Sequence, residues 1–98
     1  MKKILFALAL LISFSSFGQT SAQYFKSGFD KFEAKDYYGA IADYTKAIEL
    51  DPNYRSAYKN RGISKENLGD LKGACADWKK AAALGHKNST KWVANQCN

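Results

Sequence analysis

The sequence repeats itself at an interval of 34 residues. When residues 21–54 are aligned with residues 55–88, 11 of the 34 positions are identical, among them Gly28 with Gly62. A period of this length is typical of arrays in which each unit buries its apolar face only against its neighbours. The repeat therefore predicts a stacked architecture that recognises partners through a surface, and not an enzyme with a catalytic pocket.

The N-terminal segment has the layout of a secretory signal peptide. Lys2 and Lys3 precede an apolar run over residues 4–12, and small and polar residues follow it. The run is too short to span a bilayer core of about 30 Å as a helix, so a cleaved signal is favoured over an uncleaved N-terminal anchor. Cleavage after Gly18 and cleavage after Ala22 both satisfy the need for small residues. We therefore expect a periplasmic or secreted protein of a bacterial envelope.

The chain that remains after cleavage is small and moderately basic. It has about 80 residues, enough for one small domain. Removing Lys2 and Lys3 from the 15 basic residues leaves 13 against 9 acidic ones. The lysines are spread along the predicted helices and do not cluster with aromatic residues, so they indicate a solvated surface and not a nucleic-acid-binding face.

Each repeat is predicted to form two helices joined by a short turn. In the first repeat, apolar residues recur at helical spacing on both sides of Lys35-Asp36. Pro52 ends the second helix because proline lacks an amide hydrogen. Ser89 or Thr90 is expected to cap a last short helix. The predicted division is a signal peptide over residues 1–22, repeats over 23–54 and 55–88, and a capping helix over 89–98.

The residues at fixed positions in both units resemble the tetratricopeptide repeat. They are Tyr24, Gly28, Ala40, Tyr44, Ala47 and Pro52 in the first unit, and Tyr58, Gly62, Gly69, Asp70, Ala74, Trp78 and Ala81 in the second. Two departures are His86 in place of the proline, and Ser27 and Arg61 in place of the usual first-helix leucine. The stretch from Trp78 to His86 is also similar to the Sel1-like subclass. The resemblance implies an all-α, right-handed helix-turn-helix solenoid of two repeats plus a C-terminal capping helix, whose first helices line a concave, peptide-binding face.

The resemblance also implies which residues face a partner. On the first helix of each unit these are Phe25, Phe29, Phe32 and Glu33, and then Lys59, Asn60, Ile63, Glu66 and Asn67. The phenylalanines would form an exposed apolar patch of the kind that marks contacts, although Phe29 and Phe32 also suit a core. Lys59 and Asn60 fit a clamp for a C-terminal carboxylate loosely. Phe29 and Ile63 stand where that clamp needs polar groups, so no clamp is predicted.

Cys75 and Cys97 are the two cysteines of the chain, and in an exported protein a disulfide between them is the first expectation. They lie 11 residues on either side of His86, where an antiparallel turn is predicted. The same rule pairs Ile41 with Ile63, both apolar, one unit earlier. Such a bridge would stabilise the fold by about 3 kcal/mol. Two free buried thiols are the alternative.

Arg61 is the odd residue among the predicted packing positions. It lies eight residues before the turn at Gly69, Asp77 lies eight residues after that turn, and Asp43 falls nearly opposite across the turn at Pro52. We predict that Arg61 bridges Asp43 and Asp77 and so joins the two repeats. The alternative is that its guanidinium reaches solvent past an apolar stem.

The sequence offers no catalytic constellation. His86, the one histidine, has no nucleophile or acidic partner at a motif spacing and is interpreted as an exposed turn residue. With Cys75 and Cys97 it supplies too few ligands for a structural zinc site, so no metal and no cofactor are expected. The expected function is an exported, noncatalytic interaction module with a protein or peptide partner on its concave face. The alternative is a structural envelope protein that self-associates through its open first helix.

Overall fold

The computed structural model describes residues 18–97, so residues 1–17 of the predicted signal peptide lie outside the described part of the chain. Five helices follow one another: α1 (Ser21–Glu33), α2 (Tyr37–Leu50), α3 (Arg55–Asn67), α4 (Leu71–Ala83) and α5 (Lys87–Gln96). Each helix packs against the next, and residues 18–97 contain no strand. The predicted all-α solenoid is confirmed. None of these five helices combines the length and apolar character needed to cross a membrane.

Small residues allow the two helices of the first repeat to approach closely. Ala40, Tyr44 and Ala47 of α2 are fully buried. A Cβ atom on Gly28 of α1 would lie 2.9 Å from two ring carbons of Tyr44, so only glycine leaves room for this ring. Ala57 of α3 joins the same cluster and extends it across the boundary between the repeats.

The second repeat buries Trp78 in the place that Tyr44 takes in the first. The exposed fraction of Trp78 is 1%, and its ring lies 5.3 Å from that of Trp92 in α5, centroid to centroid. Cys75 and Cys97 form a disulfide with their Cα atoms 5.6 Å apart. Helix α5 is therefore held on α4 by a pair of aromatic rings and by a covalent link.

The short turns are defined by caps at equivalent positions in both repeats. Asp36 and Asp70 precede α2 and α4, and their carboxylates accept the backbone N–H groups of Gly39 and Gly73. These bonds satisfy amide groups that have no partner inside the helix. The preceding helices end before a left-handed residue. This residue is Gly69 in the second repeat, with φ of 87°, and Lys35 in the first, with φ of 63°.

The start of α5 differs from the prediction. His86, and not Ser89 or Thr90, is the N-cap, and Ser89 is buried inside the helix. The connection between α4 and α5 is residues 84–86, whereas residues 51–54 join α2 to α3. By the 34-residue period α5 would begin at Ser89, the equivalent of Arg55. It begins two residues earlier, at Lys87, because α4 ends one residue early and the second connection is one residue shorter.

Candidate functional site

The first helices of the two repeats lie side by side. Helix α1 touches α3 across the boundary between the repeats. By the resemblance to the tetratricopeptide repeat, these first helices are expected to line the inner side of the stack. The predicted partner-binding residues belong to these two helices.

Phe25 and Phe32 are largely used in packing. The ring of Phe25 stacks on Tyr54 with centroids 4.9 Å apart and lies 5.4 Å from the ring of Tyr44. Phe32 meets Tyr37 edge-on at 5.8 Å. Both phenylalanines border the core cluster of the first repeat, so the expected open patch of three rings is reduced. Phe29 alone of the three is strongly exposed, at 41%.

In the second repeat, Asn60 was predicted to face a partner, and this prediction is wrong. Its exposed fraction is 4%, and its amide donates a hydrogen bond to the Tyr44 hydroxyl at 3.2 Å. Burial raises the pKa of Tyr44 to about 12. Asn60 therefore links the two repeats through their core. Ile63 is half-buried and packs on the cluster around Trp78.

Five of the predicted residues retain accessible side chains on α1 and α3. We call this set the inner-face surface, which consists of Phe29, Glu33, Lys59, Glu66 and Asn67. Lys59 is half-buried and the other four are exposed. The surface combines one aromatic ring with charged and amide groups, a mixture suited to a polar peptide that carries an apolar anchor.

An ion pair at equivalent positions joins the two helices of each repeat. In the first repeat Lys31 lies 2.9 Å from Asp43, which also accepts a hydrogen bond from the Ser27 hydroxyl at 2.6 Å. In the second repeat Lys65 lies 3.0 Å from Asp77. Each pair ties the first helix of its unit to the second helix.

Arg61 has one predicted partner and one that the sequence did not indicate. Its guanidinium donates two hydrogen bonds to the carboxylate of Asp77, at 2.8 and 2.7 Å. A third hydrogen bond runs at 3.1 Å to the hydroxyl of Thr45 on α2. Asp43, the other predicted partner, is bonded to Lys31 and Ser27 instead. The contact between repeats therefore reaches the neutral Thr45 and not a second carboxylate.

We expect Arg61→Ala to destabilise the fold, because Asp77 is 5% exposed and would keep only Lys65 as a charged partner. A double-mutant cycle with Asp77→Ala, measured by urea unfolding, should give a coupling of about 0.5 kcal/mol or more. The matched cycle with Thr45→Ala should give less, because its partner is neutral. Additive effects of Arg61→Ala and Asp77→Ala would show that the arginine only packs.

His86 is part of the structure of the turn and is not the exposed residue that the sequence suggested. Its Nδ1 atom accepts the backbone N–H of Ser89 at 3.1 Å, and the Ser89 hydroxyl lies 2.7 Å from the same nitrogen. Burial, followed by the positive charges of Lys59 and Arg55, lowers the pKa of His86. The neutral imidazole is therefore the form that caps α5.

The lowered pKa of His86 predicts a loss of stability in mild acid. The unfolded chain binds this proton more readily than the folded chain, so the contribution of the neutral cap is present above the unfolded pKa of about 6.5. It should decline as the pH falls through the lower folded pKa. His86→Asn keeps a capping side chain that does not titrate. Thermal melts between pH 7 and 5 should show a steeper decline for the native chain than for this variant, and parallel declines would contradict the assignment.

The histidine and the two cysteines of the described chain have structural partners. Within residues 18–97 no group of three or more histidine, cysteine, aspartate or glutamate side chains is placed to hold a metal ion. His86 is committed to the cap of α5, and both cysteines are committed to the disulfide. The inner-face surface is the site that the sequence predicted for a partner, and it is taken up below as a proposal.

Comparison with known proteins gives a match to a family profile and matches to relatives. The sequence profile described as "TPR repeat" matches residues 30–69. A Tetratricopeptide repeat protein 36 homolog of Nematostella vectensis is 36% identical over 66 residues, which are 67% of this chain and 36% of that protein. A Protein STIP1 homolog of Dictyostelium discoideum is 36% identical over 66 residues, which are 67% of this chain and 12% of that protein. Tetratricopeptide repeat protein 36 of Danio rerio is 37% identical over 59 residues, which are 60% of this chain and 32% of that protein.

The chain spans at most 36% of the length of these relatives, so the similarity concerns the repeats and not their whole proteins. The matched region contains α2 and α3, where the two repeats meet. The 34-residue period, the successive helix pairs and these matches together show that the chain belongs to the tetratricopeptide repeat family.

Proposed function

We propose that the chain is an exported, noncatalytic interaction module that binds a protein or peptide partner along the inner-face surface. The family is generally one of protein-interaction repeats, which supports the class of function. The first helices of the two repeats touch each other, which supports a binding surface that continues from α1 to α3.

Phe29 is the observation that carries this proposal. Its ring is 41% exposed although it lies next to the packed Phe32, with ring centroids 6.4 Å apart. The other members of the inner-face surface, on α1 and α3, are charged or amide side chains. An aromatic anchor inside a polar rim is the usual arrangement of an energetically important contact.

Binding can be tested by comparing two exposed aromatic residues. Phe29→Ala should lower the amount of each specific partner captured from an envelope extract at least about tenfold. Tyr38→Ala is the matched control, because Tyr38 is 76% exposed but lies on α2, outside the inner-face surface. Equal capture by the two variants would contradict the proposed site.

The start of α1 supports cleavage of the signal after Gly18. Thr20 is the N-cap of α1, and its hydroxyl accepts the backbone N–H of Gln23 at 3.1 Å. The Gln23 side chain accepts the backbone N–H of Thr20 at 2.8 Å, which completes a capping box. Cleavage after Ala22 would remove this cap and place a positive α-amino group at the positive end of the helix dipole. Cleavage after Gly18 retains the cap.

We therefore expect N-terminal sequencing of the exported protein to begin at Gln19. A chain that begins at Gln23 would contradict the argument from the cap and leave export intact. Recovery of intact Met1 from envelope fractions would contradict cleavage of the signal and favour the uncleaved N-terminal anchor. Recombinant chains with the two possible starts provide a control, and the one that begins at Gln19 should be more stable by about 1 kcal/mol.

A second candidate function is self-association in a structural role, and the distribution of charge favours it. Residues 19–54 contain six acidic and four basic side chains, whereas residues 55–98 contain three acidic and nine basic side chains. The two ends of the stack therefore carry opposite net charge. Opposite charges on two ends of one chain steer copies into head-to-tail encounters.

A further inference from the structure

A groove of about 530 Å³ lies between the start of α4 and the end of α5. Leu71, Ala76 and the disulfide between Cys75 and Cys97 contribute apolar surface to it. Leu71 is 44% exposed. Helix α5 has 10 residues where α3 has 13, so α5 covers about one turn less of its neighbour than α3 does. The groove is thus the open end of the second repeat.

Two lysines give this groove a positive charge. Lys72 and Lys79 line it, and both are exposed. Neither forms an ion pair with a carboxylate of residues 18–97, and no acidic side chain lines the groove. An occupant that matches it must combine apolar surface with negative charge.

Helix α1 offers that combination at the opposite end of the stack. Phe29 is exposed, and Glu33 follows it one turn later on the same face of the helix. Glu33 has no ion-pair partner among residues 18–97, and the neighbouring Asp30 is held only by the exposed Lys26, at 3.4 Å. These side chains belong to the acidic half of the chain.

We propose that the groove holds helix α1 of a second copy of this chain, with Phe29 on its apolar surface and with Asp30 and Glu33 facing Lys72 and Lys79. This assignment rests on the self-association function and not on recognition of a foreign partner. The contact joins two different surfaces, so each copy keeps one free α1 and one free groove, and open-ended assemblies follow. Because Phe29 also belongs to the inner-face surface, self-association and partner binding should compete.

Sedimentation velocity of the purified chain over a range of concentration and salt tests this contact. The sedimentation coefficient should rise with concentration at low ionic strength, and the rise should be suppressed at high salt because the contact is between exposed charges. Lys72→Glu/Lys79→Glu should weaken the association at least about tenfold, because two attractions become repulsions. Asp30→Lys/Glu33→Lys should do the same from the other side.

A mixture of these two double variants is the decisive sample. Each alone should be monomeric, but together each groove meets an α1 of opposite charge, and association should return. Lys87→Glu/Lys91→Glu is the matched control. It also replaces two lysines of residues 55–98 with glutamate, but these two lysines are exposed and do not line the groove. Circular dichroism verifies that all variants are folded.

The outcomes separate this proposal from the binding of a foreign partner. A native chain that stays monomeric at every concentration and salt overturns the contact and leaves the partner-binding proposal standing. A native chain that associates while the mixture of variants stays monomeric also overturns it, because another surface must then be responsible. If the control variant abolishes association as fully as the groove variant does, association depends on overall charge and the proposed contact with the groove is wrong.

Discussion

Replacing Gly62 with alanine should lower the free energy of unfolding by about 2 kcal/mol. A Cβ atom there would lie 2.5 Å from Nε1 and 2.6 Å from Cδ1 of Trp78, and 3.2 Å from the carbonyl oxygen of Ala74. Trp78 is 1% exposed and also packs on Trp92, so its ring has no space into which it can move. Alanine would be favoured over glycine in an open helix by about 1 kcal/mol, and the overlap should outweigh this gain. Urea unfolding gives the measurement.

A smaller ring at position 78 provides the control. The double variant Gly62→Ala/Trp78→Phe should be less destabilised than the sum of the two single variants, because the phenylalanine ring vacates the atoms that the new Cβ meets. The Nε1 donor of Trp78 has no hydrogen-bond partner in the described chain, so replacing Trp78 with phenylalanine removes no hydrogen bond. A Gly62→Ala variant as stable as the native chain would contradict the close packing of α3 on α4.

Reduction of the disulfide between Cys75 and Cys97 should lower the free energy of unfolding by about 3 kcal/mol, because the cross-link limits the freedom of the unfolded chain. The cysteines are 22 residues apart, and the loop between them contains most of α4 and α5. Thermal melts with and without reductant measure the effect. Helix α5 should show the largest loss of protection from hydrogen exchange, since its other main anchor is Trp92.

The variant Cys75→Ala/Cys97→Ala separates this effect from other consequences of the reductant. It should melt near the temperature of the reduced native chain, and its melting should not respond to reductant. The same melting temperature for oxidised and reduced native protein would contradict a stabilising bridge.

Features that both repeats share could be predicted from the sequence. The helix pairs follow from the 34-residue period, because equivalent residues in two stacked units meet equivalent neighbours. Cys75 and Cys97 occupy the spacing of Ile41 and Ile63, where two antiparallel helices face each other. This correspondence places the two sulfur atoms within reach without any knowledge of side-chain conformations.

The partners of the acidic residues were harder to predict, although the repeat contained a signal. Equivalent positions of the two repeats hold the same residues: lysine at 31 and 65, and aspartate at 43 and 77. Each lysine forms an ion pair with the aspartate of its own repeat. The repetition of both residues indicates a contact within a unit. Arg61 has no identical counterpart, since Ser27 stands in its place, so only this residue was free to form a contact specific to the second unit.

Residues whose surroundings come from a neighbouring helix or connection were not predictable from pattern alone. Asn60 is polar and lies on a first helix, which suggests exposure, yet it is buried because the hydroxyl of Tyr44 supplies a partner. The role of His86 depends on the shorter connection before α5. Both outcomes depend on the relative placement of neighbouring helices, which local spacing does not specify.

Site-specific photo-cross-linking in the producing cells tests most directly the claim that the inner-face surface binds a partner. A benzophenone amino acid replaces Phe29 in one strain and Tyr38, which is exposed on α2 and lies outside the inner-face surface, in another. We predict that position 29 yields a discrete product containing a second protein species, identified by mass spectrometry, and that position 38 does not. A foreign protein captured at position 38 and not at position 29, or captured equally at both, would contradict the account.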